Sequence, residues 1–190
     1  MKLIKKNILN TSFIILLLVV IFVPDAKAFF LKGLMEIGLY APKVETTTAP
    51  IAMNLSGIKF SDAKGNLIDL GDLKGKVIFL NFWATWCPPC RAEIPSLNKL
   101  YTQFKNDQDV VFIFADADGD LVKSQKYMLN RKYEMPVYKI ESELPEQIFA
   151  GVLPTTIIFD KEGRISFRHD GMANYSNKKF VSFLNELKSN

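Results

Sequence analysis

A run of apolar residues, a pair of closely spaced cysteines and the start of a helix follow one another in this chain. Val77-Ile78-Phe79-Leu80 is continuously apolar, as in strands that are buried on both faces of a sheet. Cys87 and Cys90 come next, and apolar residues at helical spacing predict a helix over 88–104. A buried strand that leads into a helix is typical of α/β folds, so this junction constrains the architecture most.

Strands and helices alternate through the compact part of the chain, from about Met53 to the C-terminus. Before the junction, the segments 58–60 and 67–69 flank a glycine-containing turn, which predicts a β-hairpin. After the junction we predict a strand at 110–115, a helix at 121–132, strands at 155–159 and 165–168, and a last helix capped by Ser176. This order predicts an α/β domain.

The first 28 residues have the three parts of an export signal. Lys2, Lys5 and Lys6 form a basic start, and residues 13–23 are an unbroken apolar run of 11 residues. Ala26-Lys27-Ala28 then gives the small-x-small pattern that signal peptidase cleaves. The alternative is an uncleaved signal anchor, although the run is shorter than the roughly 20 residues of a spanning helix. Both interpretations place the remainder outside the cytoplasm, in the cell envelope or periplasm, where disulfides persist.

We therefore divide the chain into a signal peptide (1–28), a linker or leader (29–52) and a single domain (53–190). Four of the 24 basic and one of the 20 acidic residues lie in the first segment, which leaves 20 basic and 19 acidic side chains. This near-neutral remainder lacks the concentrated positive charge that nucleic-acid binding requires. Two cysteines and one histidine cannot form a closed zinc site with four Cys or His ligands, and we expect no metal.

The candidate chemistry lies at Cys87 and Cys90. The start of a helix directs unpaired backbone N–H groups and the positive end of the helix dipole at Cys87, which favours its reactive thiolate. Cys90, one turn further along, is placed to resolve a mixed disulfide. The alternative, a permanent structural disulfide, would stabilise the fold by only about 2 kcal/mol because the loop is so short. The spacing predicts a redox-active pair that needs no cofactor.

The segment from Asn81 to Pro95, NFWATWCPPCRAEIP, resembles the active-site segment of thioredoxin-fold proteins. More narrowly, it is similar to exported thiol-disulfide reductases of the TlpA/ResA type. The likeness extends from about Met53 to the C-terminus and includes Lys74-Gly75-Lys76 and the segment 151–156, GVLPTT. It implies a thioredoxin-like fold, with a central mixed sheet flanked by helices and an N-terminal β-hairpin extension.

The resemblance also implies how substrate is bound. It makes Pro154 a cis proline that faces the cysteines, and the backbone of Leu153 would pair with a substrate strand. We expect Trp86 and Pro88, on either side of Cys87, to contact substrate as well. The alternative for Trp86 is a role in the core, as for many aromatic residues beside buried strands.

Glu93 follows Cys90 by three residues and shares its helix face. Ordinary thioredoxins carry an aspartate where this chain has Asn81, which cannot shuttle a proton. In the reductases that the segment resembles, a glutamate matches Glu93 and handles protons. A desolvated Glu93 would have a raised pKa and could act as a base toward Cys90. The alternative is that Glu93 only complements the helix dipole. We expect Arg91 to be solvated on an exposed helix face.

The residues between the cysteines indicate the direction of electron flow. Pro88 and Pro89 have no charge and no N–H, so they cannot stabilise a Cys87 thiolate. We therefore expect a relatively high pKa for Cys87 and a low reduction potential, which favours a reductant of protein disulfides. The resemblance implies an upstream membrane dithiol donor, apocytochrome c or a copper-site protein as substrate, and a possible membrane tether.

Two other functions use overlapping residues. A thiol oxidase or isomerase would keep the same cysteines and reverse electron flow. A copper chaperone would bind metal through Cys87, Cys90 and His169, although chaperones of this fold space their cysteines more widely. Insulin reduction, together with refolding of a scrambled substrate, would separate the first two functions.

Overall fold

The chain begins with two helices that meet at a sharp bend. The computed structural model describes residues 2–36, 40, 42 and 52–189. Helix α1 is Lys2–Phe22 and helix α2 is Pro24–Glu36, so the predicted break at Pro24 is confirmed. Proline suits the first position of α2, where no N–H is needed. The boundary predicted at residue 28 lies inside α2, and residues 37–39, 41 and 43–51 of the predicted linker lie outside the described residues.

Seven strands form one mixed sheet, which confirms the α/β fold class. They are β1 (Lys59–Asp62), β2 (Leu67–Asp69), β3 (Val77–Trp83), β4 (Val110–Asp116), β5 (Val137–Ile140), β6 (Thr155–Phe159) and β7 (Ile165–Asp170). Their order across the sheet is β2-β1-β5-β4-β3-β6-β7. Parallel pairing joins β3 to β4 and β4 to β5, whereas all other neighbours are antiparallel.

Strand β3 lies within the sheet and every one of its residues is buried. Side chains alternate between the two faces of a strand. Val77, Phe79 and Trp83 pack into one apolar core with the helices, and Ile78, Leu80 and Phe82 pack into a second core on the opposite face. The continuous apolar run at 77–80 is explained by these two cores. Asn81 belongs to the first series and faces the helices.

Three helices follow the strands. Helix α3 is Pro88–Phe104, as predicted, and contains Pro95 in its interior. Helix α4 is Leu121–Asn130 and helix α5 is Lys178–Ser189. Buried residues of all three contribute to the first core, with Leu97, Met128 and Phe180 as examples.

Some predicted details differ from the structure. Asn177, and not Ser176, caps α5, because its Oδ1 accepts a hydrogen bond of 2.9 Å from the N–H of Phe180. The hydroxyl of Ser176 instead donates to Asn174 at 3.0 Å. Helix α4 ends two residues before the predicted end, and Lys132 has a positive φ of 57°. Strand β5 was not predicted.

Candidate active site

Cys87 and Cys90 form a disulfide at the start of α3. Cys87 is the N-cap residue with extended backbone angles, and Cys90 lies in the first turn. Their Cα atoms are 5.3 Å apart, within the range that a disulfide spans without backbone movement. Cys87 is 3% exposed and Cys90 is fully buried. An incoming sulfur therefore reaches Cys87 first.

The helix start gives Cys87 few hydrogen-bond donors. The N–H of Cys90 donates to the Cys87 sulfur at 3.3 Å. Pro88 and Pro89 occupy the first two positions of α3 and have no N–H to offer. A thiolate at this position would keep the favourable helix dipole but would lack two of the backbone donors that most helix starts provide.

The Leu153–Pro154 peptide bond is cis, as the resemblance implies. Pro154 immediately precedes β6, whose first residue, Thr155, pairs with Phe82 of β3. Because β3 continues into the segment that carries Cys87, the cis proline lies beside the end of the sheet at which the disulfide is found. Val152, two residues before the proline, is exposed.

Glu93 is fully buried one turn after Cys90 on α3. The side-chain amide of Asn81 donates to its Oε1 at 2.9 Å, and the N–H of Ala173 donates to its Oε2 at 3.2 Å. Burial raises the pKa of Glu93 from its ordinary value of 4.5 to about 8, and these two hydrogen bonds oppose part of that rise. The carboxyl group therefore exchanges a proton near neutral pH, as a general acid or base must.

Asn81 connects Glu93 to the cis-proline strand. Its amide also donates to the hydroxyl of Thr156 at 2.9 Å, because Asn81 and Thr156 are directly paired between β3 and β6. Its Oδ1 is buried and has no hydrogen-bond partner among the described residues. The sequence analysis recognised Asn81 and Glu93 separately but missed Thr156 and the N–H of Ala173.

Trp86 lies on the surface immediately before Cys87. Its ring is 57% exposed, so it is not part of the core. The indole N–H donates to the carboxylate of Asp118 at 2.9 Å, which anchors Trp86 to the loop after β4. Pro88 on the other side of Cys87 is half-buried. The surface around Cys87 thus presents a fixed aromatic ring and a proline ring.

Arg91 is not solvated, contrary to expectation. Its side chain is only 10% exposed and forms an ion pair with Asp25 of α2. Its guanidinium also lies 5.5 Å from the centre of the Tyr127 ring. The partner was missed because Asp25 belongs to a segment that the sequence analysis assigned to a removable signal.

No group of three His, Cys, Asp or Glu side chains is placed to hold a metal ion within the part of the chain that the structure describes. His169 is partly exposed on β7 and stacks on Phe167, with ring centres 6.3 Å apart.

A thioredoxin-like sheet, a Cys-x-x-Cys disulfide at a helix start and a cis proline beside it define the chain as a thiol-disulfide oxidoreductase. The redoxin family model matches residues 38–181, and the chain belongs to this family, in its TlpA/ResA-type thioredoxin-fold group. It is 34% identical over 165 residues to a thiol-disulfide oxidoreductase ResA of Bacillus cereus, covering 85% of this chain and 87% of that protein. It is 33% identical over 105 residues to ResA of Bacillus subtilis (strain 168), covering 55% and 58%.

Solved structures confirm the fold. StoA from Bacillus subtilis is similar with a TM-score of 0.53 and 20% identity, over 73% of this chain and 97% of that structure. A secreted thiol-disulfide isomerase from Corynebacterium glutamicum is similar with a TM-score of 0.57 and 18% identity, over 80% of this chain and 98% of that structure. At these identities the likeness concerns the fold alone.

Proposed function

We propose that this chain reduces disulfides in other proteins outside the cytoplasm, with Cys87 as the attacking residue. The observation that carries the proposal is the Cys87–Cys90 disulfide at the start of α3, with Cys87 as the more accessible sulfur. In the reduced protein the Cys87 thiolate attacks one sulfur of a substrate disulfide. A mixed disulfide forms, and the other substrate sulfur leaves as a thiolate.

Cys90 then completes the transfer. Its sulfur attacks Cys87, which restores the disulfide and releases the second substrate sulfur. Two electrons pass from the protein to the substrate, and the substrate thiolates take up two protons. The oxidised protein needs two electrons and two protons from an upstream dithiol donor before the next cycle.

Glu93 is the proposed proton acceptor for Cys90. Cys90 is fully buried, so its thiol does not lose a proton directly to solvent. Glu93 lies on the same face of α3, and its raised pKa of about 8 is close to that of an ordinary thiol. A carboxylate with this pKa accepts the Cys90 proton with little energetic cost and returns it during recharging.

Trp86, Pro88, Leu153 and Pro154 are the proposed contacts to substrate. The exposed ring of Trp86 is held by Asp118, so it offers an apolar surface without losing side-chain freedom on binding. The cis bond before Pro154 positions the backbone at Leu153 at the edge of the site. There it is able to pair with an extended substrate segment.

The proposed direction, from protein to substrate, rests on the surroundings of Cys87. Stabilisation of the thiolate makes the reduced form of such a pair weakly reducing. Here two prolines remove two donors, and Asp25 neutralises Arg91, the cationic side chain beside Cys90. We also propose a membrane dithiol donor and apocytochrome c as a candidate substrate, in keeping with the TlpA/ResA-type resemblance. Export is supported by the basic start and by the apolar run at 13–23.

Trapping tests the order of attack. The full-length Cys90→Ala variant should retain its substrate in a mixed disulfide through Cys87, and the matched Cys87→Ala variant should retain far less. Mass spectrometry of the trapped species, with apocytochrome c as the probe, identifies the linked cysteine. Equal trapping by the two variants would contradict the assigned roles.

A paired assay tests the direction. The wild-type chain should reduce insulin with a chemical dithiol as donor and should refold scrambled ribonuclease poorly. Efficient oxidative refolding with weak insulin reduction would instead identify an oxidase or isomerase.

A further inference from the structure

Helix α2 packs against α3, the helix that carries both cysteines. The residues of α2 on this side recur every three or four positions, as expected for one helix face: Asp25, Ala28, Lys32 and Met35. Met35 is buried against Ala92 and Met172 of the redox domain. This side of α2 is part of the folded domain.

A charged cluster holds the first turn of α2 in place. The Asp25 carboxylate pairs with two guanidinium groups, those of Arg91 and Arg131, the second at 2.7 Å. Both guanidinium groups also lie close to the Tyr127 ring, at 5.5 Å and 4.7 Å from its centre. Asp25 is thus the carboxylate that pairs with Arg91, whose side chain is almost completely buried. Loss of Asp25 would leave this cation without its partner in a poorly solvated position.

The opposite side of α2 is apolar and faces α1 across a cleft of about 770 Å³. The residues of α2 on this side are Ala26, Phe30, Gly33 and Leu34. Those of α1 are spaced as one helix face: Phe13, Leu16, Leu17 and Val20. Phe30 is 53% exposed, and the apolar residues of α1 from Phe13 onward are exposed to a similar extent. So large an exposed apolar surface indicates a binding surface.

The two helices together have the shape of an elbow. Within the described residues, no single helix is both long and apolar enough to cross a membrane. The pair Asn10–Phe22 and Pro24–Glu36 meets that requirement of length and hydropathy jointly, and is bent by 96°. One helix can therefore enter a bilayer while the other lies along its surface.

We propose that α2 is a retained, docked helix that seats the redox domain on the lipid bilayer. Its Asp25 side is fixed to Arg91 and Arg131, and its Phe30 side enters the lipid beside α1. Lipid is the occupant that the cleft fits, because α1 is apolar on all sides after a basic start, as in membrane-inserted segments. Seating through α2 would fix the orientation of Cys87 relative to the membrane.

Retention follows from the position of the predicted cleavage site. Ala26-Lys27-Ala28 lies inside α2, and Ala28 is 8% exposed against the domain. Cleavage after Ala28 would remove Asp25 from its two arginines. The proposal relies on the proposed function only for the location outside the cytoplasm. Insulin reduction, measured on the same samples, separates a failure of docking from a failure of the redox function.

The first experiment determines the N-terminus. The full-length chain is expressed in a bacterial host with active signal peptidase and is extracted from the membrane fraction, and its intact mass is measured. The proposal predicts that residues 1–28 are present. A chain that begins at Phe29 would overturn it.

The second experiment tests the charged cluster by hydrogen exchange across 24–36. The full chain is reconstituted into vesicles of phosphatidylethanolamine and phosphatidylglycerol. Asp25→Arg should increase exchange in α2 at least tenfold, and adding Arg131→Asp should restore most of the protection. The control Glu36→Gln, which removes an exposed carboxylate at the end of the same helix, should leave exchange unchanged. Equal exchange in Asp25→Arg and wild type would contradict docking through this cluster.

The third experiment identifies the occupant of the apolar side. Phe30→Trp should gain strong fluorescence quenching when the vesicles carry bromine on the acyl chains. The control Val122→Trp, on the exposed face of α4, should gain none. No gain of quenching at position 30 would mean that this side binds something other than lipid, and would overturn the seating on the bilayer.

Discussion

Replacing Glu93 with glutamine should abolish a specific pH dependence of stability. In the folded protein burial raises the pKa of Glu93 to about 8, against an ordinary value of 4.5. Between these two values the folded state holds a proton that the unfolded state has released. The free energy of unfolding therefore falls as pH rises through this interval, and the contribution of Glu93 is fully present only below about pH 4.5.

The magnitude follows from the shift. One pKa unit corresponds to about 1.4 kcal/mol, so the complete interval amounts to about 5 kcal/mol and the part between pH 5.5 and 7.5 to about 2.5 kcal/mol. Glutamine has a similar shape but cannot titrate. It also places an amide against the donors on Asn81 or Ala173, which costs about 1–3 kcal/mol at every pH. The slope, and not the offset, is the diagnostic quantity.

The assay is urea unfolding of the full chain in mild detergent, followed by the fluorescence of the buried Trp83 at several pH values. The difference in unfolding free energy, wild type minus Glu93→Gln, should decrease by about 2.5 kcal/mol from pH 5.5 to 7.5. Ser96→Ala, a buried polar neighbour on α3 that cannot titrate, should show a constant difference. A constant difference for Glu93→Gln as well would refute the raised pKa.

Three further substitutions test other parts of the account. Asn81→Ala removes a donor to the Glu93 carboxylate, so the pKa of Glu93 should rise further, by about one unit, in a carboxyl ¹³C NMR titration; an unchanged pKa would contradict the role of that hydrogen bond. Pro88→His supplies a charged donor beside Cys87 and should raise the reduction potential by about 30 mV, equivalent to about 1.4 kcal/mol, in a glutathione titration; a lower potential would contradict the argument from the prolines. Leu97→Ala empties a fully buried site on α3 and should lower the unfolding free energy by about 2–5 kcal/mol in urea; a loss below about 1 kcal/mol would mean that the core closes around the gap.

Local sequence was sufficient for the elements that begin with strong signals. Helix α3 could be placed at 88–104 because proline is favoured at the first helical position and the apolar spacing that follows is regular. Strand β5 has only four residues with little alternation, directly after Pro136, so no local pattern distinguishes it from a loop. The cap of α5 was misplaced by one residue because serine and asparagine are almost equally favoured as caps.

Contacts between distant segments could not be predicted in the same way. The cysteine pair was found because its chemistry depends on residues three positions apart. The contact of Asn81 with Thr156 instead depends on the pairing of β3 with β6, 75 positions apart in the chain. The ion pair of Arg91 depends on the packing of α2, which no pattern near Arg91 encodes. The signal-like character of the first 28 residues also directed attention away from Asp25.

The central claim is that the Cys87–Cys90 pair is a reductant, and its reduction potential tests this most directly. The full-length protein is equilibrated in glutathione buffers of defined ratio, and the free thiols are counted by alkylation and mass spectrometry. The account predicts a potential close to that of thioredoxin, about −270 mV. A value near about −120 mV, as in the strong oxidant DsbA, would contradict it.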